Sequence, residues 1–212
     1  MDLWDRLAAA LSRLPEEIAA DRERAPGLLA ELLGEPPAVR ERMAVHVERF
    51  RSIALAELLL ERSLQQPAMA GELADLALGV AGVLDRSGGA AGLIDQITSR
   101  AWSARGNSHR LQGDFAEAES AFQRASYYLA ISPDPLEESL FYRLRARLRR
   151  DQGNLESAVV MQERAVERLA GYAPPALTAE ALIELAALHL AESNTGKTLA
   201  ALAAATQVLE RS

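Results

Sequence analysis

Over residues 99–210 large, small and polar positions recur at a step of 40 residues. Trp102, Gly106, Gly113, Asp114, Phe115, Ala118, Phe122 and Ala125 make one row, and Tyr142, Ala146, Gly153, Asn154, Leu155, Ala158, Gln162 and Ala165 make the next. Leu182, Ala186, Ser193, Asn194, Thr195, Thr198, Leu202 and Ala205 make the third. Each row reads as helix, turn, helix. A fixed period of this size predicts stacked units, each burying its apolar face only against its neighbours.

Every column has a physical reason. Gly106, Ala146 and Ala186 in the first helices, with Ala118, Ala125, Ala158, Ala165, Thr198 and Ala205 in the second, keep side chains small where paired helices approach. Asp114, Asn154 and Asn194 are preferred N-caps ahead of each second helix, and Asp114 has Glu117 three residues on, as in a capping box. Gly113 and Gly153 stand where a left-handed residue ends the first helix at least cost. Trp102, Tyr142 and Leu182 fill space between helices.

With these columns in place, residues 99–125 resemble a tetratricopeptide repeat: the segment carries that family's Trp, Gly, small Ala, aromatic and Ala at the expected spacings. The second and third rows depart from the pattern. Arg105 and Arg145 replace a usual Leu, Gln162 replaces the aromatic, and the step is 40 rather than 34. The additional residues fall near Pro133, Pro135, Pro174 and Pro175, where second helices are expected to run about a turn longer. The resemblance implies an all-α fold, a right-handed α-α superhelix with repeats at about 99–138, 139–178 and 179–210. It also implies a concave surface lined by the first helices, which binds a peptide or a partner protein.

Upstream the pattern is weaker. Residues 38–65 read as one long helix started by Pro36 and Pro37 and stopped near Pro67, and the following stretch gives a second helix with Ala70, Ala74 and Ala77 on its small face. Residues 51–84 are therefore expected to form a degenerate repeat, and 85–98 a connecting segment with a break at Gly88 and Gly89. Residues 1–50 are expected to form an N-terminal helical cap. Its first 34 residues should make two or three short amphipathic helices with Trp4, Leu7, Leu11 and Leu14 on one side.

Composition supports the all-helical reading: 49% of residues are hydrophobic, only 5% are aromatic, and no alternating β-branched run interrupts the chain. Cysteine is absent, which excludes disulfides and thiolate metal sites. The N-terminal stretch has no basic-then-apolar signal pattern and no apolar run is long enough to span a bilayer, so the expected location is cytoplasmic, with no membrane partner.

Candidate chemistry is sparse. Asn194–Thr198 ends like a phosphate-binding loop, but Ala191 occupies the required glycine position and no strand precedes it, so a turn and cap is the reading. His109 and His189 share one column while His46 stands apart, a distribution that points to helix packing rather than to metal ligation. No carboxylate pair is spaced for acid–base catalysis, and no glycine-flanked serine nucleophile occurs. The expectation is a non-enzymatic protein without cofactor or metal.

Charge offers one positive signal. If the resemblance holds, groove-facing positions are Arg100, Ser103, Ala104, Asn107, Arg110 and Leu111, then Leu140, Arg143, Leu144, Arg147, Arg150 and Asp151. Five arginines thereby converge on a chain of net charge −7, which favours an acidic or carboxylate-ended segment. The competing reading is a solvated arginine face whose charges pair with neighbouring Glu and Asp. Glu180 and Glu184 occupy the matching places of the third row, and of the family's carboxylate clamp only Asn107 matches, while Ser103 and Leu144 depart.

The expected function is an interaction module or adaptor. The alternatives are a peptide- or ligand-sensing regulator, similar to bacterial regulators that join helical repeats to a DNA-binding domain, or an accessory subunit of a complex. No basic recognition helix occurs in residues 1–35, so no nucleic-acid partner is expected. The segment 198–209 is almost entirely apolar, which suggests pairing with a second copy or a partner through the C-terminal helix.

Overall fold

The structure, a computed structural model, describes residues 3–84 and 90–211, with side chains described from residue 19 onward. The described residues are helical with short connections and contain no strand. They fall into two compact units, Met1–Ala101 and Trp102–Ser212.

In the first unit α1 spans Leu3–Gly34, α2 Pro37–His46, α3 Ile53–Gln65 and α4 Ala70–Val83. The expectation of two or three short helices over the first 34 residues is corrected: α1 is continuous and runs through Pro15 and Pro26. Its face of Ala25, Leu29 and Leu32 is buried and α1 packs on α3, so tertiary burial overrides the local cost of proline. The side chains of Trp4, Leu7, Leu11 and Leu14 lie outside the described residues.

The single helix expected over 38–65 is likewise corrected, because a one-turn 3-10 helix, Glu48–Phe50, separates α2 from α3. Phe50 is fully buried there, and Ser52 caps α3 by accepting a hydrogen bond from the Leu55 N–H at 2.9 Å. Asp21 of α1 adds a second cap by accepting from the Ala54 N–H at 3.1 Å. Arg40 closes the end of α1, donating to the carbonyls of Glu35 and Leu33 at 2.6 and 2.9 Å while pairing with Glu72 of α4 at 2.7 Å. Ala70, Ala74 and Ala77 are buried as their spacing implies.

Helix α5 spans Ala91–Gln112, so residues 91–98 are helical and not the connecting segment expected; the break expected at Gly88 and Gly89 lies outside the described residues. From Trp102 onward α5 belongs to the second unit, with α6 over Phe115–Ile131, α7 over Pro135–Asp151, α8 over Leu155–Leu169, α9 over Pro175–Ala191 and α10 over Thr195–Glu210. Adjacent helices pack on one another from α6 to α10.

The three turns are built alike. Gly113, Gly153 and Ser193 adopt φ of 81°, 79° and 60°. The next N–H reaches back to His109, Arg149 or His189 at 2.8–2.9 Å, while the Gly113, Gly153 and Ser193 N–H groups bond Arg110, Arg150 and Leu190. This is the Schellman pattern, which satisfies carbonyls left over at a helix end. Asp114, Asn154 and Asn194 then cap the second helix, accepting from the Glu117, Ser157 and Lys197 N–H groups.

Small columns are buried throughout: Ala118, Ala125, Ala158 and Ala165 expose nothing, and Ala146, Ala186, Thr198 and Ala205 nearly nothing. A Cβ on Gly106 would stand 3.0–3.2 Å from the Phe122 ring, so that position admits only glycine without displacement. Phe122 meets Phe141 edge-on at 6.1 Å inside a cluster with Ala118, Ala125, Leu144 and Leu148.

Candidate functional site

Helix periodicity puts Arg143, Arg147 and Arg150 of α7 on one face, and Glu180 and Glu184 of α9 one turn apart on another. Stacking α9 beside α7 makes these faces meet. Arg143 donates from Nε to Glu184 at 2.7 Å, and from a terminal nitrogen to Glu184 at 3.1 Å and Glu180 at 2.7 Å. Arg147 also donates to Glu184. One row earlier Arg110 of α5 donates to Asn107 at 3.0 Å and pairs with Asp151 of α7, which also accepts from Arg150 at 3.0–3.1 Å.

The pairing has a direction along the chain: Arg110 reaches Asp151, and Arg143 and Arg147 reach Glu184, so a cation of one row meets a carboxylate of the following row. Burial alone would raise the Glu184 pKa, yet hydrogen bonds from Arg143 and Arg147 and their charges outweigh it and hold the carboxyl below its ordinary value. The balance at Asp151 is the same, with burial opposed by Arg110 and Arg150 and a lowered pKa as the result. For Arg143 burial pulls downward, but Glu184 and Glu180 hold the guanidinium above its usual value and therefore charged.

Five of the six residues expected to line a groove thus fall into two polar clusters of the second unit, Asn107, Arg110 and Arg150 around Asp151, and Arg143 and Arg147 around Glu184. Arg143 departs from the expectation: its side chain is buried and its donors are taken by Glu180 and Glu184, so it braces α7 against α9 rather than facing a ligand. Arg147 and Arg150 keep 38% and 49% of their side-chain surface exposed. They line a pocket of about 110 Å³ with Ala146, Gln162, Glu184, Ala187 and Leu188. Arg100 sits on α5 within the first unit and is half-buried.

Gln162 was legible only as a departure from an aromatic column. It is almost fully buried, and its amide donates to the Ala181 carbonyl at 2.8 Å and to Glu184 at 3.1 Å, which orients the carboxylate from behind. A second arginine face escaped the sequence reading: Arg145 and Arg149 both donate to Glu119 of α6 at 2.9 and 2.8 Å. Arg124 stacks over Trp102 and Arg164 over Tyr142, at 4.6 and 5.8 Å, again one 40-residue step apart. His189 is buried with Nδ1 3.2 Å from Glu192, and His109 lies 4.0 Å from Asp114.

Among the described residues no group of three or more His, Asp or Glu side chains could hold a metal ion. No helix there is long and apolar enough to cross a membrane. No family model matches the chain, and no curated protein matches it. Among solved structures the chain is similar to BtubC (BKLC) from P. vanneervenii, with a TM-score of 0.53 at 17% identity, over 100% of this chain and 92% of that one. At this level of identity the likeness is one of helical fold.

Proposed function

We propose that this chain is a non-enzymatic interaction module, a tetratricopeptide-like helical repeat whose second unit forms a right-handed α-α superhelix and binds an extended segment of another protein. The segment lies along the face carried by α5, α7 and α9. The observation that carries this reading is the half-exposed pair Arg147 and Arg150 at the rim of a pocket whose floor includes Gln162 and Glu184. Across the two clusters Arg110, Arg143, Arg147 and Arg150 stand against Asp151, Glu180 and Glu184, leaving a local positive surplus on a chain of net charge −7. That surplus favours a ligand with one carboxylate at the pocket, held by planar guanidinium forks, rather than a run of acids.

The test uses fluorescence anisotropy with a peptide library that varies one Asp or Glu within an otherwise neutral extended sequence. A preferred peptide should lose at least about tenfold in affinity to the Arg147→Ala/Arg150→Ala variant and weaken with added salt. Circular dichroism confirms that the variant is folded. Equal binding of acidic and neutral peptides by the parent protein would overturn the proposal.

A further inference from the structure

Gln162 is the polar member of its column: Phe122 stands at the matching place one row earlier and Leu202 one row later. It is 1% exposed, and its side chain brings two N–H donors and an acceptor oxygen into that enclosure. Both donors are spent, on the Ala181 carbonyl at 2.8 Å and on the Glu184 carboxylate at 3.1 Å. Since a carbonyl and an ionised carboxylate can only accept, the amide nitrogen must face them and the oxygen must point elsewhere. No described residue donates to that Oε1. A buried acceptor without a donor is costly, and the aromatic Phe122 one row earlier shows that the column does not demand it. Gln162 borders open space where it lines the pocket beside Arg147 and Arg150, so that is where its oxygen can be met.

The rest of the pocket narrows what can meet it. Glu184 is already satisfied, one oxygen by Arg143 and Arg147 and the other by Arg143 and Gln162. Ala146, Ala187 and Leu188 supply apolar wall, which suits a small side chain. Arg147 and Arg150 supply positive charge, which repels an ammonium but not a neutral O–H or N–H. The Gln162 amide and the Arg147 guanidinium hang on the same carboxylate, so the acceptor at the floor and the cation at the rim lie within the span of adjacent ligand residues. Resting on the binding of an acidic segment at this pocket, we propose that the residue adjacent to the acid carries a small neutral side chain that donates a hydrogen bond, serine, threonine or asparagine, and that Gln162 Oε1 accepts it. Gln162 is then a specificity-determining residue, adding a demand for a donor to the demand for a carboxylate.

The probes are short fluorescent peptides of alanine and glycine with Asp–Thr or Thr–Asp at the centre, the same peptides with Val in place of Thr, and acid-free controls with Asn in place of Asp. Valine keeps the shape of threonine and removes the donor, so in fluorescence anisotropy with the full chain the better Thr peptide should bind about fivefold or more tighter than its Val partner. This comparison needs no protein variant. Gln162→Met keeps an unbranched side chain without the acceptor; it also frees Glu184, so both affinities can fall, but the gap between Thr and Val should close. Circular dichroism checks that the variant is folded. Equal binding of the Thr and Val peptides, with the acid still required, would overturn the donor requirement and leave the acidic-segment reading standing. A gap that persists in the folded Gln162→Met protein would overturn the assignment to Gln162. Binding of the Asp peptides no tighter than that of the controls would overturn the acidic-segment reading and this inference with it.

Discussion

Replacing Glu184 with glutamine tests whether the inter-row ion pairs hold α7 to α9. The carboxylate accepts two bonds from Arg143, one from Arg147 and one from Gln162. A carboxamide keeps the shape and one acceptor oxygen but turns an NH2 toward guanidinium donors, so Arg143 retains only Glu180 as an anionic partner, whose own side chain is largely exposed. Removing one partner of a buried pair costs ~3–5 kcal/mol; with Glu184 partly solvated and Glu180 still in place, we expect ~2–3 kcal/mol. The melting temperature should fall by about 5–10 °C at roughly 2–4 °C per kcal/mol for a chain of this size.

The same substitution has a pH signature. The folded-state pKa of Glu184 is lowered, so its contribution is fully present above the ordinary glutamate range and is lost as pH falls through the folded value. Urea titrations of both proteins at a series of pH values should give a stability gap that is constant near neutrality and closes on acidification. A gap below about 0.5 kcal/mol at pH 7, or one that persists unchanged in acid, would refute the reasoning.

Four further substitutions address the turns and the small columns. Ser193 holds φ of 60°, so Ser193→Gly should gain about 0.5–1 kcal/mol in urea unfolding, and Gly153→Ser should lose a similar amount. Ala158→Leu, at a fully buried contact with Leu185 and Ala201, should overpack α8 against its neighbours and cost ~1–3 kcal/mol; an unchanged melting temperature would contradict that placement. Gly106→Ala improves helix propensity by about 1 kcal/mol yet drives a methyl group into the Phe122 ring, and calorimetry should show a net loss of about 1 kcal/mol.

What the residues disclosed ahead of the structure was local chemistry. Asp114, Asn154 and Asn194 cap helices because side chain and N–H lie three residues apart, and Gly113 and Gly153 turn because only their own backbone must adopt a positive φ. The break between α2 and α3 has no such signature: Ser52 reads as an ordinary helix-surface residue until Phe50 is buried and Asp21, 33 residues away, caps Ala54. Continuous α1 is hidden for the same reason, since the burial of Ala25, Leu29 and Leu32 against α3 outweighs two prolines. At the candidate site the arginines were legible as a face, but whether Arg143 meets solvent or Glu184 depends on how far α9 slides along α7. That offset is a tertiary quantity, and only the buried Gln162, polar in an aromatic column, hinted at it.

The turns at Gly113, Gly153 and Ser193 are each closed by bonds that begin and end within about a turn of the reversal itself. Such a reversal needs no distant segment, so the entropy of loop closure is small and a helix pair can form as soon as its own residues are available. Chain growth at the ribosome would then assemble the second unit in order, α5 with α6 before α7 exists and α8 before α9. Arg143 would remain without its acids until Glu180 and Glu184 emerged, making the joint between α7 and α9 the late and rate-sensitive step. In single-molecule pulling, the second unit should extend in helix-pair increments rather than in one event, with the α9–α10 pair leaving as a block.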